Sequence, residues 1–198
     1  MRALAITLGL VLAPAQVSAQ IGNPAGMAPD TRFERPGVPA PNQTNYQDRL
    51  FAQLLTAGGI AEVELGRLAA DTSGHDGVKR FADRMVDDHS KANEALKSIA
   101  EENKIPLPDE LDADHKKIRA DLEKLDGAEF DLAYMAAQIV DYQKAAQLLA
   151  WEIGQGQNAE LQRFAARTLP TVLEHLDMAR DIYAQLTGEA AVEAAKAN

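Results

Sequence analysis

The sequence predicts an all-α fold: a four-helix bundle made of two antiparallel hairpins, joined by a crossover that carries a short extra helix. Three observations predict it. Between residues 45 and 186, apolar side chains recur at helical spacing in four long segments. Glycine and proline gather mainly between those segments, where a helix has to stop. The 46% of hydrophobic residues are largely Ala and Leu, with aromatics at only 5%, a balance that favours helices over strands.

The elements follow in order. Met1 and Arg2 precede an apolar run over residues 3–13, Pro14 breaks it, and Val17-Ser18-Ala19 supplies small residues where a signal peptidase reads. Residues 1–19 therefore read as a secretory signal cleaved after Ala19, too short to span a bilayer comfortably. Residues 20–43 hold five prolines and three glycines with almost no apolar periodicity, and read as a disordered or extended linker. The bundle domain is expected over residues 44–188. Its first helix covers residues 45–71, with Phe51, Leu54, Gly58, Ala61, Leu65 and Ala69 on the apolar face. Ser73-Gly74 ends it. The second covers residues 76–103, with Val78, Phe81, Met85 and Leu96 aligned, and Ile105-Pro106-Leu107-Pro108 cannot continue it. A short polar helix is expected over residues 113–125. The third long helix covers residues 129–154, with Phe130, Tyr134, Ala137, Ala145 and Leu148 aligned. The fourth covers residues 159–186, with Phe164, Val172, Leu176, Ala179 and Ile182 aligned. Pro170 should kink it or mark a local break, Gly188 should cap it, and residues 189–198 should fray into a disordered tail. Arg80-Phe81-Ala82 recurs as Arg163-Phe164-Ala165, a faint echo between the two hairpins.

Composition narrows the function classes. The net charge of −10 repels phosphate backbones and anionic lipid, which argues against nucleic-acid binding and adhesion to membranes. With no cysteine, the chain has no disulfide framework, thiolate metal site or cysteine nucleophile. No phosphate-binding loop, nucleophile elbow or paired-histidine metalloprotease helix is present.

What remains is a set of polar residues placed inside apolar stripes. Glu62 shares the face of Gly58, Ala61, Leu65 and Ala69, whereas Glu64 points the other way. His89 follows Met85 by one turn and precedes Leu96 by two. Asp141 stands between Ala137 and Leu148, and His175 falls with Val172, Ala179 and Ile182. Each long helix thus offers one ionisable residue to the interior. Burying such groups singly costs several kcal/mol each, so they are expected to be paired or metal-bound. Two imidazoles and two carboxylates would suit zinc, iron, manganese or copper, and bundle interiors commonly house such sites. The competing reading is structural: Glu62 reaching solvent, Asp141 pairing with Lys144, and the two histidines neutral, each bonded to a carboxylate. Asp87, Asp88 and Glu174 stand where they would orient the histidines, and Tyr134 where it would bond within the cluster. Asp112 and His115, one turn apart on the short helix, read as a solvated face, and His75 as an exposed turn residue.

Several of these segments resemble a known family. The runs Ala61-Glu62-Val63-Glu64-Leu65-Gly66, Val78-Lys79-Arg80-Phe81-Ala82 and Met85-Val86-Asp87-Asp88-His89-Ser90 are similar to the signature of exported bacterial proteins labelled "predicted outer membrane protein", domain-of-unknown-function family 4142. Phe130-Asp131, Tyr134, Phe164-Ala165, Leu169-Pro170 and Glu174-His175-Leu176 resemble its second half. The resemblance implies a ferritin-like four-helix fold and an extracytoplasmic location. It implies no reaction, because the family has no settled activity. Two departures bear on chemistry. Ferritin-like di-iron sites carry Glu-x-x-His on two helices, yet Val86 and Val172 stand three residues before His89 and His175. This chain also has Asp141-Tyr142 where the family often has Asp-His. Both argue against a standard di-iron oxidase.

The expected function is therefore that of a non-catalytic envelope or stress-related binding protein, periplasmic or secreted, with an envelope protein or a second copy as partner. The alternative is a metal-binding or redox-active protein with a degenerate site at Glu62, His89, Asp141 and His175.

Overall fold

The structure is a computed structural model and describes residues 45–197. The expected signal sequence and linker lie outside the described residues. The helices are α1 (Tyr46–Thr72), α2 (Asp76–Glu102), α3 (Ala113–Leu122), α4 (Gly127–Gln155) and α5 (Ala159–Ala197), with no strand among the described residues.

Local chemistry sets most of the ends. Asn45 caps α1, its Oδ1 accepting from the Asp48 N–H at 2.8 Å. Asp112 caps α3 through the His115 N–H at 2.8 Å. Asn158 caps α5 through the N–H groups of Glu160 and Leu161, at 2.9 and 3.0 Å. An imidazole does the same for α2: His75 Nδ1 accepts from the Gly77 and Val78 N–H groups at 3.1 and 3.3 Å. This gives the turn residue His75 a structural role. Beyond α2, Lys104 takes a left-handed conformation, φ 54°. The Ile105 N–H then reaches back to the Ala100 carbonyl at 2.8 Å, and that of Lys104 to Glu101 at 3.1 Å. Such a reversal satisfies the last carbonyls and tucks Ile105 into the core.

The fourth long helix departs from expectation. α5 passes through Pro170 and Gly188 without a break and continues to Ala197. A proline forfeits one ladder bond, and a mid-helix glycine costs about 1 kcal/mol relative to alanine. The packed stretch before Gly188 and the alanine-rich stretch after it carry the helix past both.

α1 packs on α2 and α4 on α5, with α1 also against α4 and α2 against α5. Contacts at the ends fix the directions. Asp48 at the start of α1 meets Gln157 after α4, and Asn103 after α2 meets Asn158 and Glu160 at the start of α5. Neighbouring long helices are thus antiparallel. The segment 103–126 must run back along the bundle, about 40 Å for a helix of this length. It carries α3, which packs on α4 and reaches α1 through Arg119 Nη1 and Glu64 Oε2 at 2.6 Å. The core is continuous, running through Phe51, Leu54, Phe81, Phe130, Leu148 and Phe164.

Two glycines set how closely α1 and α2 approach. A Cβ on Gly66 would lie 2.9 Å from Val86 Cγ2 and 3.1 Å from the Ala82 carbonyl oxygen; one on Gly59, two turns earlier, would overlap the Asn93 side chain. Gly59 fills the role expected of Gly58, which is only half-buried.

Candidate functional site

The middle of the bundle holds a polar centre organised around one hydroxyl. Tyr142, on α4 and 1% exposed, places its Oη 2.9 Å from Glu62 Oε2 on α1, 3.0 Å from His89 Nε2 on α2, and 2.6 Å from Met85 Sδ. The hydroxyl has one proton, so it donates to one neighbour and must accept from another. Donation to Glu62 and acceptance from a His89 Nε2–H satisfies both. His175 on α5 completes the group: its ring centroid lies 5.5 Å from that of His89 and 5.4 Å from that of Tyr142. Its Nε2 lies 3.0 Å from Asp88 Oδ2, and Arg84 holds the same oxygen at 3.2 Å. His175 is only 1% exposed and its Nδ1 has no hydrogen-bond partner.

Burial governs the charge states. It pushes the Glu62 carboxyl up to about 8, reinforced by Asp141 and opposed by the hydrogen bond from Tyr142. It drives His89 down to about 3, helped by His175. His175 is also lowered by burial, against the pull of Asp88. For Asp88, burial is outweighed by the hydrogen bonds to His175 and Arg84, which hold the carboxyl below its usual range. At neutral pH the interior is thus a neutral carboxyl, a phenol and two neutral imidazoles.

A charged cluster flanks this centre. His115, on α3 and 5% exposed, sits between Asp112 Oδ2 at 2.9 Å and Asp141 Oδ2 at 3.5 Å. Burial opposes its charge, yet the two carboxylates raise it to about 10. This corrects the expectation of a solvated face for Asp112 and His115: the crossover folds α3 onto α4 and buries the imidazole as a cation between two anions.

Of the four expected residues, the fold brings three together. Glu62 and His89 meet on Tyr142, and His175 lies beside both rings. Asp141 belongs instead to the His115 cluster and contacts Lys144 Nζ at 3.5 Å. Among the described residues, no group of three or more His, Asp or Glu side chains is arranged to hold a metal ion. Asp88 orients His175, as its position suggested, whereas Asp87 pairs with Lys91 at the surface. Tyr134 is buried and stacks with Phe130, but its hydroxyl has no partner.

The residue missed was Tyr142. The buried face of α4 follows Phe130, Tyr134, Gln138, Tyr142 and Leu149, one position on from the stripe drawn through Ala137 and Asp141. Alanines surround this helix and blur its face. The signal available was the four-residue spacing of Phe130, Tyr134, Gln138 and Tyr142, which puts the three aromatics in one column.

Fold and site together define a helical bundle with a buried, hydrogen-bonded polar centre and one long crossover. The chain belongs to the family described as a domain of unknown function (DUF4142), whose profile matches residues 33–182. No curated protein and no solved structure matches it.

Proposed function

We propose that the protein is a non-catalytic binding protein of the cell envelope and that its core takes up a single transition-metal ion. The observation that carries this reading is His175. Its Nε2 is committed to a carboxylate while its Nδ1 is buried without a partner beside His89 and Tyr142. A histidine that gives one nitrogen to a carboxylate and keeps a bare lone pair on the other is the usual form of a metal-ligating imidazole. His89, His175, Glu62 and Tyr142 would hold the ion, with Met85 Sδ adjacent to the phenol. Imidazole, carboxylate and phenol donors suit zinc, copper or iron. Binding would release the protons held on Glu62 and Tyr142. Four donors from four helices would hold the ion in a closed site, which favours binding over turnover. The single long crossover is the connection found in ferritin-like bundles, and it supports that assignment of the fold. The expected secretory signal supports an address outside the cytoplasm. No helix among the described residues is long and apolar enough to cross a membrane.

The test is metal loading of the mature chain. Stripped protein titrated with zinc, copper or iron (iron under anaerobic conditions) is expected to bind one equivalent. It should gain about 2.7 kcal/mol of stability at a hundredfold excess of ion over Kd. Stoichiometry unchanged in His89→Ala and His175→Ala would sink the proposal.

A second reading rests on the absence of a three-residue His, Asp or Glu metal set among the described residues. Here the centre is a structural keystone, and the binding surface lies elsewhere. Loss of stability in His175→Ala, with no metal dependence in the parent chain, would decide for it.

A further inference from the structure

A groove of about 290 Å³ opens where the α1–α2 turn, the start of α4 and the C-terminal part of α5 meet, and it shares no residue with the polar centre. Leu132 and Leu186 form part of its walls, and Asp131 lies at its base. Asp131 heads the inward face of α4, one turn before Met135 and two before Gln138. It is 3% exposed, yet it makes no hydrogen bond or ion pair among the described residues. Its two oxygens differ. Oδ1 is sealed from solvent without a partner, whereas Oδ2 is not sealed and is the oxygen open to the groove. A buried carboxylate with neither donor nor counter-ion costs several kcal/mol, so the open oxygen is an unspent acceptor for a cation. At the rim, His75 spends Nδ1 on the α2 cap, so its proton stands on Nε2, 3.7 Å from Glu189 Oε2.

We infer that this groove binds a primary ammonium group carried on a short alkyl chain. The ammonium would donate to Asp131 Oδ2, and the alkyl chain would lie against Leu132 and Leu186. The donor set selects that occupant. With one oxygen open, Asp131 cannot take the two parallel bonds of a guanidinium, whereas an ammonium needs a single acceptor. A metal ion finds too few ligands, because the His75 lone pair is committed to the cap and the groove offers only two carboxylates, Asp131 and Glu189. An alcohol would leave the Asp131 charge without a counter-ion, and an anion would meet like charge. The selectivity rests on the carboxylate inside the protein, since an exposed rim charge such as Glu189 adds little.

The probes are n-butylamine, n-butylguanidine and n-butanol, added to the mature chain and followed by the methyl resonances of Leu132 and Leu186. The amine is expected to shift those methyls saturably at one equivalent, with the guanidine weaker and the alcohol weaker by about tenfold or more. Asp131→Asn keeps the size and removes the charge, and should weaken amine binding by about tenfold or more without lowering the thermal midpoint. Gly74→Phe should fill the groove and abolish the shifts, with Asp131 intact. The fold has room for that side chain: a Cβ on Gly74 meets nothing within 4 Å, and its φ is not left-handed. A lysine with both ends amidated carries the same ammonium on a peptide unit. Its binding as well as butylamine would assign the group to a polypeptide side chain, and its exclusion to a free amine. Equal binding of amine and alcohol, tighter binding of the guanidine, no saturable shift, or an amine affinity unchanged in Asp131→Asn or Gly74→Phe would each overturn the inference.

Discussion

Two tyrosines eight residues apart on α4 show what a single hydroxyl is worth in a dry core. Tyr142 joins Glu62, His89 and Met85, whereas the Tyr134 hydroxyl is buried with no partner. Tyr142→Phe leaves a carboxyl and an imidazole without their shared neighbour and should cost about 1–3 kcal/mol by denaturant titration. Tyr134→Phe removes an unmet polar group and should be neutral or stabilising by about 1 kcal/mol in the same assay. Glu152 makes a related point at the end of the bundle. It is fully buried beside Asp48, and burial first, then that neighbour, raises its carboxyl to about 8 from 4.5. The folded state therefore holds a proton that the unfolded chain releases above pH 4.5. The stability this proton confers is fully present below 4.5 and falls as pH rises from 4.5 to 8. Glu152→Gln cannot lose that proton. It should match the parent at pH 5 and exceed it by roughly 1–3 kcal/mol at pH 9, checked by unfolding at both values.

Among the elements, α3 depends most on charge. It has few buried residues, only His115 and Leu122, and is held by ion pairs through His115 and Arg119. The His115 pKa stands raised to about 10 from 6.5, so its contribution is complete below 6.5 and is lost as pH climbs through 10. Hydrogen exchange should show α3 opening at high pH before the long helices do, and His115→Gln should bring that opening to neutral pH. Protection of α3 that does not change between pH 7 and pH 10.5 would contradict this role. The pair α1 and α2 depends instead on the lack of a side chain. Gly66 admits Val86 and the Ala82 carbonyl at distances a Cβ would violate. Gly66→Leu should force the helices apart and cost about 1–3 kcal/mol, read from the thermal midpoint.

Across the whole molecule, the polar centre couples the two hairpins. α1 and α2 pack chiefly on each other, as do α4 and α5, yet Glu62 and His89 from one pair meet Tyr142 and His175 from the other. Separating the hairpins would expose apolar core and break this network together. Amides of residues 61–65, 85–89, 138–142 and 172–176 should accordingly exchange with one common, global free energy. A markedly lower value for one hairpin would mean that the centre does not join them.

The sequence by itself determined the helices, their order and most of their ends, because these are local matters. Apolar period, capping side chains such as Asn45 and Asp112, and the prolines after Ile105 act within a few residues of where they stand. It also marked Glu62, His89 and His175 as inward, because α1, α2 and α5 have faces that apolar residues define. Tertiary structure decided the rest. The hub passed to Tyr142 because the alanine-rich α4 presents no clear face, and only packing against Phe81 and Glu62 selects its rotation. His115 became a buried cation because the crossover lays α3 over α1 and α4, a contact no local pattern encodes. The free Nδ1 of His175 and the orientation of its ring were settled by Asp88 on another helix, far away in sequence.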